Sequence, residues 1–405
     1  MTIGETNTLT GAALTFADGA NIHVEKGDTL VINNDVVFSG KITKTGWGEV
    51  VFNGGVTAAV AATDGYWLTV QEGGATFDGA VTGVRLITCG AQDATGVPVI
   101  TLKENCTVRD YAIVLTAWSE GLADANVTGE THQEGATVDY SAGVFSGLIN
   151  AGMCPLSRPN GGFGRYVLDS GTFRMKDTFH TSCFHLWNDT GTFEFVQNGG
   201  TNIVAISLYL ARNSGGVNLS YELNGGRFEL NSWVSGYHRS LNSLKLNGGT
   251  VKLGAAGNFC KREDVALYMS GNNTFETVSG VDAILSNDGE GTTSLTVTGE
   301  GSLTLDGMFD LNGLDVQAGT VTLTDKLRSV LDGTADLSIA RTGATLNLDY
   351  DGEVTFKTLK VGSLGRAAGV YSSAQGPNAV KRVLDGDGSL RILEGSNPGI
   401  VIKIR

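Results

Sequence analysis

The chain has 405 residues, 58 of them Gly and only 5 Pro, with 41% apolar and 17% charged residues. That is too apolar and too weakly charged for disorder, it lacks the Pro and three-residue period of collagen, and no apolar run approaches the roughly 18 residues of a membrane-spanning helix. A net charge of −14 repels phosphate backbones and anionic lipid headgroups, so neither nucleic acid nor a membrane surface is an expected partner.

The first residues, Met1 to Glu5, carry neither the basic nor the apolar region of an export signal. Either the chain stays inside the cell or it is read here without its signal. From there the sequence reads as short strands broken by Gly, Asn or Asp, beginning with Thr29 to Asn33, Glu49 to Asn53 and Leu68 to Gln71. Residues 1–116 are expected to form N-terminal coils. The stretch 117–165 breaks the pattern with Trp118, His132, Tyr140, Cys154, Pro155 and Pro159, and reads as an irregular insertion.

Repeated wording sets in after it. Val167-Leu-Asp-Ser-Gly-Thr-Phe-Arg-Met175 returns as Glu222-Leu-Asn-Gly-Gly-Arg-Phe-Glu-Leu230 and as Lys245-Leu-Asn-Gly-Gly-Thr-Val-Lys-Leu253. The corner glycines Gly171, Gly200, Gly226 and Gly249 are 29, 26 and 23 residues apart. Such a period suits one coil of a stacked repeat, because a single coil cannot bury its inward residues alone. Residues 166–340 are therefore read as repeat coils. Ser294 to Val297, Ser302 to Leu305 and Thr320 to Thr324 are further strands, and Lys261 to Met269 and Asp325 to Leu331 are possible helical turns. Residues 341–405 form a closing module. The expected fold is all-β, a right-handed parallel β-helix in one elongated domain, with about 18 coils at roughly 22 residues each.

Few residues suggest chemistry. The five cysteines, Cys89, Cys106, Cys154, Cys183 and Cys260, are never closer than 17 residues, and an odd count leaves at least one thiol unpaired. In His180-Thr-Ser-Cys-Phe-His185, Cys183 and His185 share a strand face while His180 points away, so three ligands would need a bend. Asp349-Tyr-Asp-Gly352 and Asp385-Gly-Asp-Gly388 are fragments of a calcium loop, and also what tight turns use. No metal, cofactor or catalytic residue is expected. Trp118, Tyr140, Trp187, Trp233 and Tyr237, with His238 beside the last, are candidate glycan contacts, since aromatic faces suit sugar rings; buried corners are the alternative for Trp187 and Trp233.

Lys41-Ile-Thr-Lys-Thr-Gly-Trp-Gly-Glu-Val-Val-Phe-Asn-Gly54 resembles the opening of the autotransporter-associated β-strand repeat, with Lys44, Gly46, Gly48, Val50, Phe52 and Gly54 on its positions. Leu68 to Phe77 is similar to its second half, while Val56 to Tyr66 departs from the usual link. Ala344 to Gly352, Leu359 to Val361, Ala367 to Tyr371 and Asp385 to Ile392 are similar to the closing module of large secreted repeat proteins. The resemblance implies a secreted or cell-surface β-solenoid without catalytic activity, whose expected partners are glycans or host and cell-surface components, and it favours a chain read without its signal. Two other readings are open: a carbohydrate-active β-helix (polysaccharide lyase or glycosidase) or glycan-binding module, which would need carboxylates converging in a groove, and a phage or host-recognition fibre, which would need trimeric intertwining.

Overall fold

Side chains that alternate between apolar and polar, bounded by residues that tolerate tight corners, fold into short strands along the chain. The computed structural model describes residues 5–59, 67–84, 86–92, 96–109, 114–117, 127–140, 162–175, 182–185, 190–205, 207–211, 216–236, 242–261 and 265–395. Among these the protein is all-β, and its helices are two single turns, Asp325–Arg328 and Asn378–Lys381. The chain forms two compact units: Met1–Glu229 with Val234–Ser243, and Leu230–Trp233 with Leu244–Arg405.

In the first unit the chain visits three rows of parallel strands in turn, the first two of them parts of one long sheet. One row takes Thr6–Leu9, Thr29–Ile32, Glu49–Phe52, Gly74–Phe77 and Val99–Lys103. The second takes Leu14–Phe16, Val36–Phe38, Val56–Ala58, Val81–Thr82 and Thr107–Arg109. The third takes Asn21–His23, Lys41–Thr45, Trp67–Val70, Leu86–Cys89 and Val114–Thr116. In-register pairing sets like residues on like. Ile32, Phe52, Phe77 and Leu102 share one row and are fully buried. The rings of Phe52 and Phe77 stack 5.1 Å apart. Tyr166 and Phe195 repeat this at 5.2 Å. Each such side chain removed from water contributes about 1.5–3 kcal/mol, available only once a neighbouring circuit covers it.

The irregular insertion expected over 117–165 is not continuous. Val127–Asp139 is a strand in register with Val99–Lys103 on one side and Phe163–Arg174 on the other. Along that row Glu49, Gly74, Val99, Glu130 and Arg165 are partners, so the offset rises from 25 residues to 31 and then 35. Two of the additional residues fall between Leu102 and Val108, where the offset goes from 25 to 27, and the next four fall between Thr116 and Glu130. Thr190–Gln197 and Gly216–Leu223 continue the sheet.

In the second unit Ala266–Thr277, Thr292–Gly299, Asp310–Val316, Asp336–Ile339 and Thr358–Val361 pair in parallel. Phe275, Val297, Val316, Ile339 and Val361 form its buried row. A six-stranded parallel sheet runs from Gly257–Asn258 through Asp282–Leu285, Ser302–Leu305, Gly319–Thr324 and Ala344–Asp349 to Leu384–Gly386. Antiparallel pairs enter near the end, between Gly369–Tyr371 and Ser389–Ile392. Of the helical turn expected at Lys261 to Met269, residues 262–264 lie outside the described residues, and the part from Ala266 is overturned: Ala266–Thr277 is strand, with Leu267 and Met269 buried and Tyr268 and Ser270 exposed, a period of two rather than 3.6.

Corners carry a second device: buried side chains donate to corner carbonyls, of which Gly48 and Gly200 also accept a backbone N–H from the next circuit. Lys44 is fully buried, and its Nζ donates to the carbonyls of Gly46, of Gly48 at 2.6 Å and of Glu72 at 2.9 Å. Gln133 Nε2 donates to Ala136 at 2.6 Å and Thr172 at 2.9 Å, and Gln197 Nε2 to Gly200 at 3.2 Å and Arg227 at 3.0 Å. In the second unit Asn273 Nδ2 donates to the carbonyls of Leu246 at 3.1 Å and Ser270 at 2.8 Å.

Candidate binding groove on an outward sheet face

The side chains opposite the core line up in rows because the strands are in register. One row on the first unit's long sheet reads Val51, Thr76, Thr101 and His132. A second reads Glu49, Gly74, Val99, Glu130, Arg165 and Glu194. A groove of about 670 Å³ opens over the first of these, lined by Val51, Thr76 and Thr101, by the carboxylates Glu49, Asp78, Glu104 and Glu134, and by Lys103.

Several lining groups already hold one another. Thr76 Oγ1 donates to Glu49 Oε1 at 2.6 Å, and the Asn105 backbone N–H and Nδ2 donate to Asp78 Oδ1 at 3.2 and 3.1 Å. Lys103 Nζ donates to Glu134 Oε2. Each of these bonds engages one oxygen, so the second oxygen of Glu49, Asp78 and Glu134 can accept from a ligand.

The strand Val127–Asp139, which carries Glu134 into the groove lining, also carries Glu130 and His132 of a charged cluster. His132 Nε2 is 3.1 Å from Glu130 Oε2. Arg165 donates to Glu194 Oε2 from Nε at 2.9 Å and Nη2 at 2.6 Å, and its Nη1 is 4.0 Å from Glu130 Oε1. The hydrogen bond from His132 holds the Glu130 carboxyl below the usual carboxylate range despite its partial burial. The same bond raises His132 above the usual imidazole value, with Glu130, Asp169 and Glu134 adding to it. Glu130 thus stays ionised, and is the reverse of a proton-donating acid.

Of the aromatic residues singled out by sequence, Tyr140 and Trp233 are described, and neither lines this groove. Tyr140 is in the core, only 1% exposed, where its ring packs edge-on against Phe173 and its hydroxyl accepts from the Val114 N–H at 3.0 Å. Burial leaves it no face to offer a sugar. Trp233, in the second unit, is half-buried; Lys261 Nζ sits 4.7 Å from its ring centre, and its indole N–H is buried without a hydrogen-bond partner among the described residues. Trp118, Trp187, Tyr237 and His238 lie outside the described residues, as does His180. Ser182–His185 is a strand paired with Leu208–Ala211. Among the described residues no three His, Cys, Asp or Glu side chains gather as metal ligands would, and no helix is long and apolar enough to cross a membrane. Asp385 Oδ1 accepts from the Gly386 N–H at 2.9 Å, and Tyr350, between Asp349 and Asp351, is buried with its hydroxyl donating to the Ser389 carbonyl at 3.1 Å.

Sequence reasoning missed the groove residues, because rows across circuits are invisible in a linear chain. It did quote Lys44 within the repeat resemblance, but not its use as a corner staple. Comparison of the sequence with family models, with curated proteins and with solved structures finds no match.

Proposed function

We propose that the chain is a non-catalytic structural or adhesive module of a secreted or cell-surface protein, its circuits wound as right-handed parallel β-helices of the passenger type. The observation that carries this reading is the engagement of the outward charged groups with one another. Glu130 holds His132, Glu194 holds Arg165 and Glu134 holds Lys103, which makes a braced surface rather than a proton-transfer centre. The resemblance around Lys44 and the closing segments supports export.

The groove favours one second reading, a carbohydrate-active or glycan-binding β-helix. Hydrolysis would need two carboxyls about 5–9.5 Å apart, one of them protonated. Glu49 and Glu130 share a row but stand three strands apart, about 14 Å at the usual strand spacing. Glu130 is held in its ionised form. We take that reading in its binding form, with the groove's carboxylates as hydrogen-bond acceptors. A panel of neutral and acidic polysaccharides, assayed for new reducing ends and unsaturated products, tests it: no turnover is expected, and turnover abolished by Glu130→Gln or His132→Ala with the fold intact would overturn the non-catalytic reading.

A further inference from the structure

We propose that Asn312 is a site of spontaneous deamidation, with water as the co-reactant, and that the fold protects the corner asparagines from the same reaction. Asn is followed by Gly six times, at positions 53, 160, 198, 224, 247 and 312. Asn160-Gly161 lies outside the described residues. In each pair the chemistry is local, because a following Gly has no Cβ to crowd its backbone nitrogen. That nitrogen attacks the Asn Cγ. The new N–Cγ bond forms, the Cγ–Nδ2 bond breaks, and the amide leaves as ammonia with the proton of the Gly nitrogen. The succinimide then takes up one water. Opening at Cγ gives Asp, and opening at the Asn backbone carbonyl carbon gives isoaspartate.

Ring closure needs a side chain free to turn and a backbone free to move, and the pairs differ in both. At the corners the carboxamides are held between circuits. Asn53 Nδ2 donates to Asn33 Oδ1 at 2.7 Å, Asn198 Nδ2 to Asp169 Oδ1 at 2.8 Å and Asn224 Nδ2 to Asn198 Oδ1 at 3.0 Å, while Asn247 Oδ1 accepts from Ser270 Oγ at 2.9 Å. The glycines that follow press on the circuit before. A Cβ on Gly54, Gly199 or Gly225 would lie 2.1, 2.3 or 2.5 Å from a carbonyl oxygen, and the Gly199 and Gly225 N–H groups donate to carbonyls at 3.2 Å. Asn312 is the exception. It is exposed, and its carboxamide makes no hydrogen bond among the described residues. It is the additional residue of a bulge: Thr293 pairs with Leu311 and Ser294 with Gly313, so Asn312 has no partner on Thr292–Gly299, and pairing with Asp336–Ile339 begins only at Gly313. Around Gly313 the nearest atom to a Cβ would be the Asp336 carbonyl oxygen at 3.5 Å. Leu311 and Leu314 stay buried on either side, so conversion adds a negative charge to the outward face and, in isoaspartate, one methylene to a strand that already accommodates an additional residue.

The experiment is incubation of the whole chain in mildly alkaline buffer made with heavy-oxygen water, which marks conversions that occur during the incubation, followed by peptide mass spectrometry. In the folded chain Asn312 is expected to convert about tenfold or more faster than each of Asn53, Asn198, Asn224 and Asn247, because those must wait for a local opening. In denaturant, where the fold no longer distinguishes them, the same pairs should convert at rates within about threefold of one another. The Asn312 product should contain isoaspartate, the mark of the ring. Asn312→Gln, an exposed change whose longer side chain closes a ring far more slowly, should remove the conversion, and Gly313→Ala should slow it. No conversion at Asn312, an equal rate at the corner asparagines of the folded chain, or a product without isoaspartate would overturn the proposal.

Discussion

Replacing Lys44 by Met tests whether buried donors hold the corners together. The Lys44 ammonium bridges two circuits, taking the Gly46 and Gly48 carbonyls of its own corner and the Glu72 carbonyl of the next. Gly46 adopts φ +74°, and its N–H donates to Glu72 Oε2 at 2.6 Å, so the two corners are tied from both sides. Burial pushes the Lys44 pKa down to about 8, against the pull of Glu72 and Glu49, so at pH 7 it is still protonated. Met keeps much of the stem's volume but leaves the Gly46 carbonyl without its donor, while the Gly48 carbonyl keeps the Gly74 N–H. Each stranded buried carbonyl costs about 1–3 kcal/mol. The Glu72 carbonyl is only part-buried and can turn to water, so one is counted in full, or about 1–3 kcal/mol. Relief from burying an ammonium offsets some of that, for a net loss of about 1–2 kcal/mol. The loss is local, because a circuit contacts only its neighbours. Hydrogen exchange read by mass spectrometry on peptides covering Gly46–Phe52 and Gln71–Phe77 should show protection falling about 5- to 30-fold. The backbone bonds at stake include Gln71 N–H to Lys44 O at 3.0 Å and Gly74 N–H to Gly48 O at 3.1 Å. Unchanged or increased protection in those peptides would refute the reasoning.

Three further outcomes follow from the same geometry. Gly226→Ala should lower stability by more than about 3 kcal/mol, because φ is +75° and the new Cβ would lie 2.4 Å from the Gly200 carbonyl oxygen. Gly83→Ala, at φ +67° with open space around it, should cost only about 1–2 kcal/mol, and equal shifts in denaturant midpoint would show that the clash does not matter. Burial pushes the Cys89 and Cys106 thiols up to about 11 and about 12, so both should resist iodoacetamide in the folded chain and react in denaturant, a contrast read by peptide mass spectrometry. His132 is held above 6.5, so its share of stability is complete below pH 6.5 and lost as pH rises through its folded value; Glu130 is held below 4.5, so its share is complete above pH 4.5 and lost as pH falls through its folded value. The pair should therefore be most effective between about pH 4.5 and 6.5, and Glu130→Gln should bring the His132 midpoint, followed by imidazole C2 exchange, down toward 6.5; an unmoved midpoint would contradict the pairing.

Sequence alone determined the strand character and the corners. Ser302–Leu305 is a strand over the residues its alternation marks, and Gly171, Gly200, Gly226 and Gly249 all adopt positive φ, because both features are local: a period of two fixes which face a side chain takes, and a missing Cβ fixes which backbone angles are open. The helical reading of Lys261 to Met269 failed because a short apolar pattern is ambiguous until a neighbouring strand, here Thr292–Gly299, supplies the ladder. Val127–Asp139 was lost inside an apparent insertion for the same reason: its wording departs from the repeat, yet pairing on both sides holds it in register. Tyr140 stands among the glycan-contact candidates because only the packed circuits show that its ring faces Phe173. The row from Glu49 to Glu194 and the groove beside it exist only in three dimensions, because they join residues about 25 to 35 positions apart whose adjacency comes from strand register and not from chain distance.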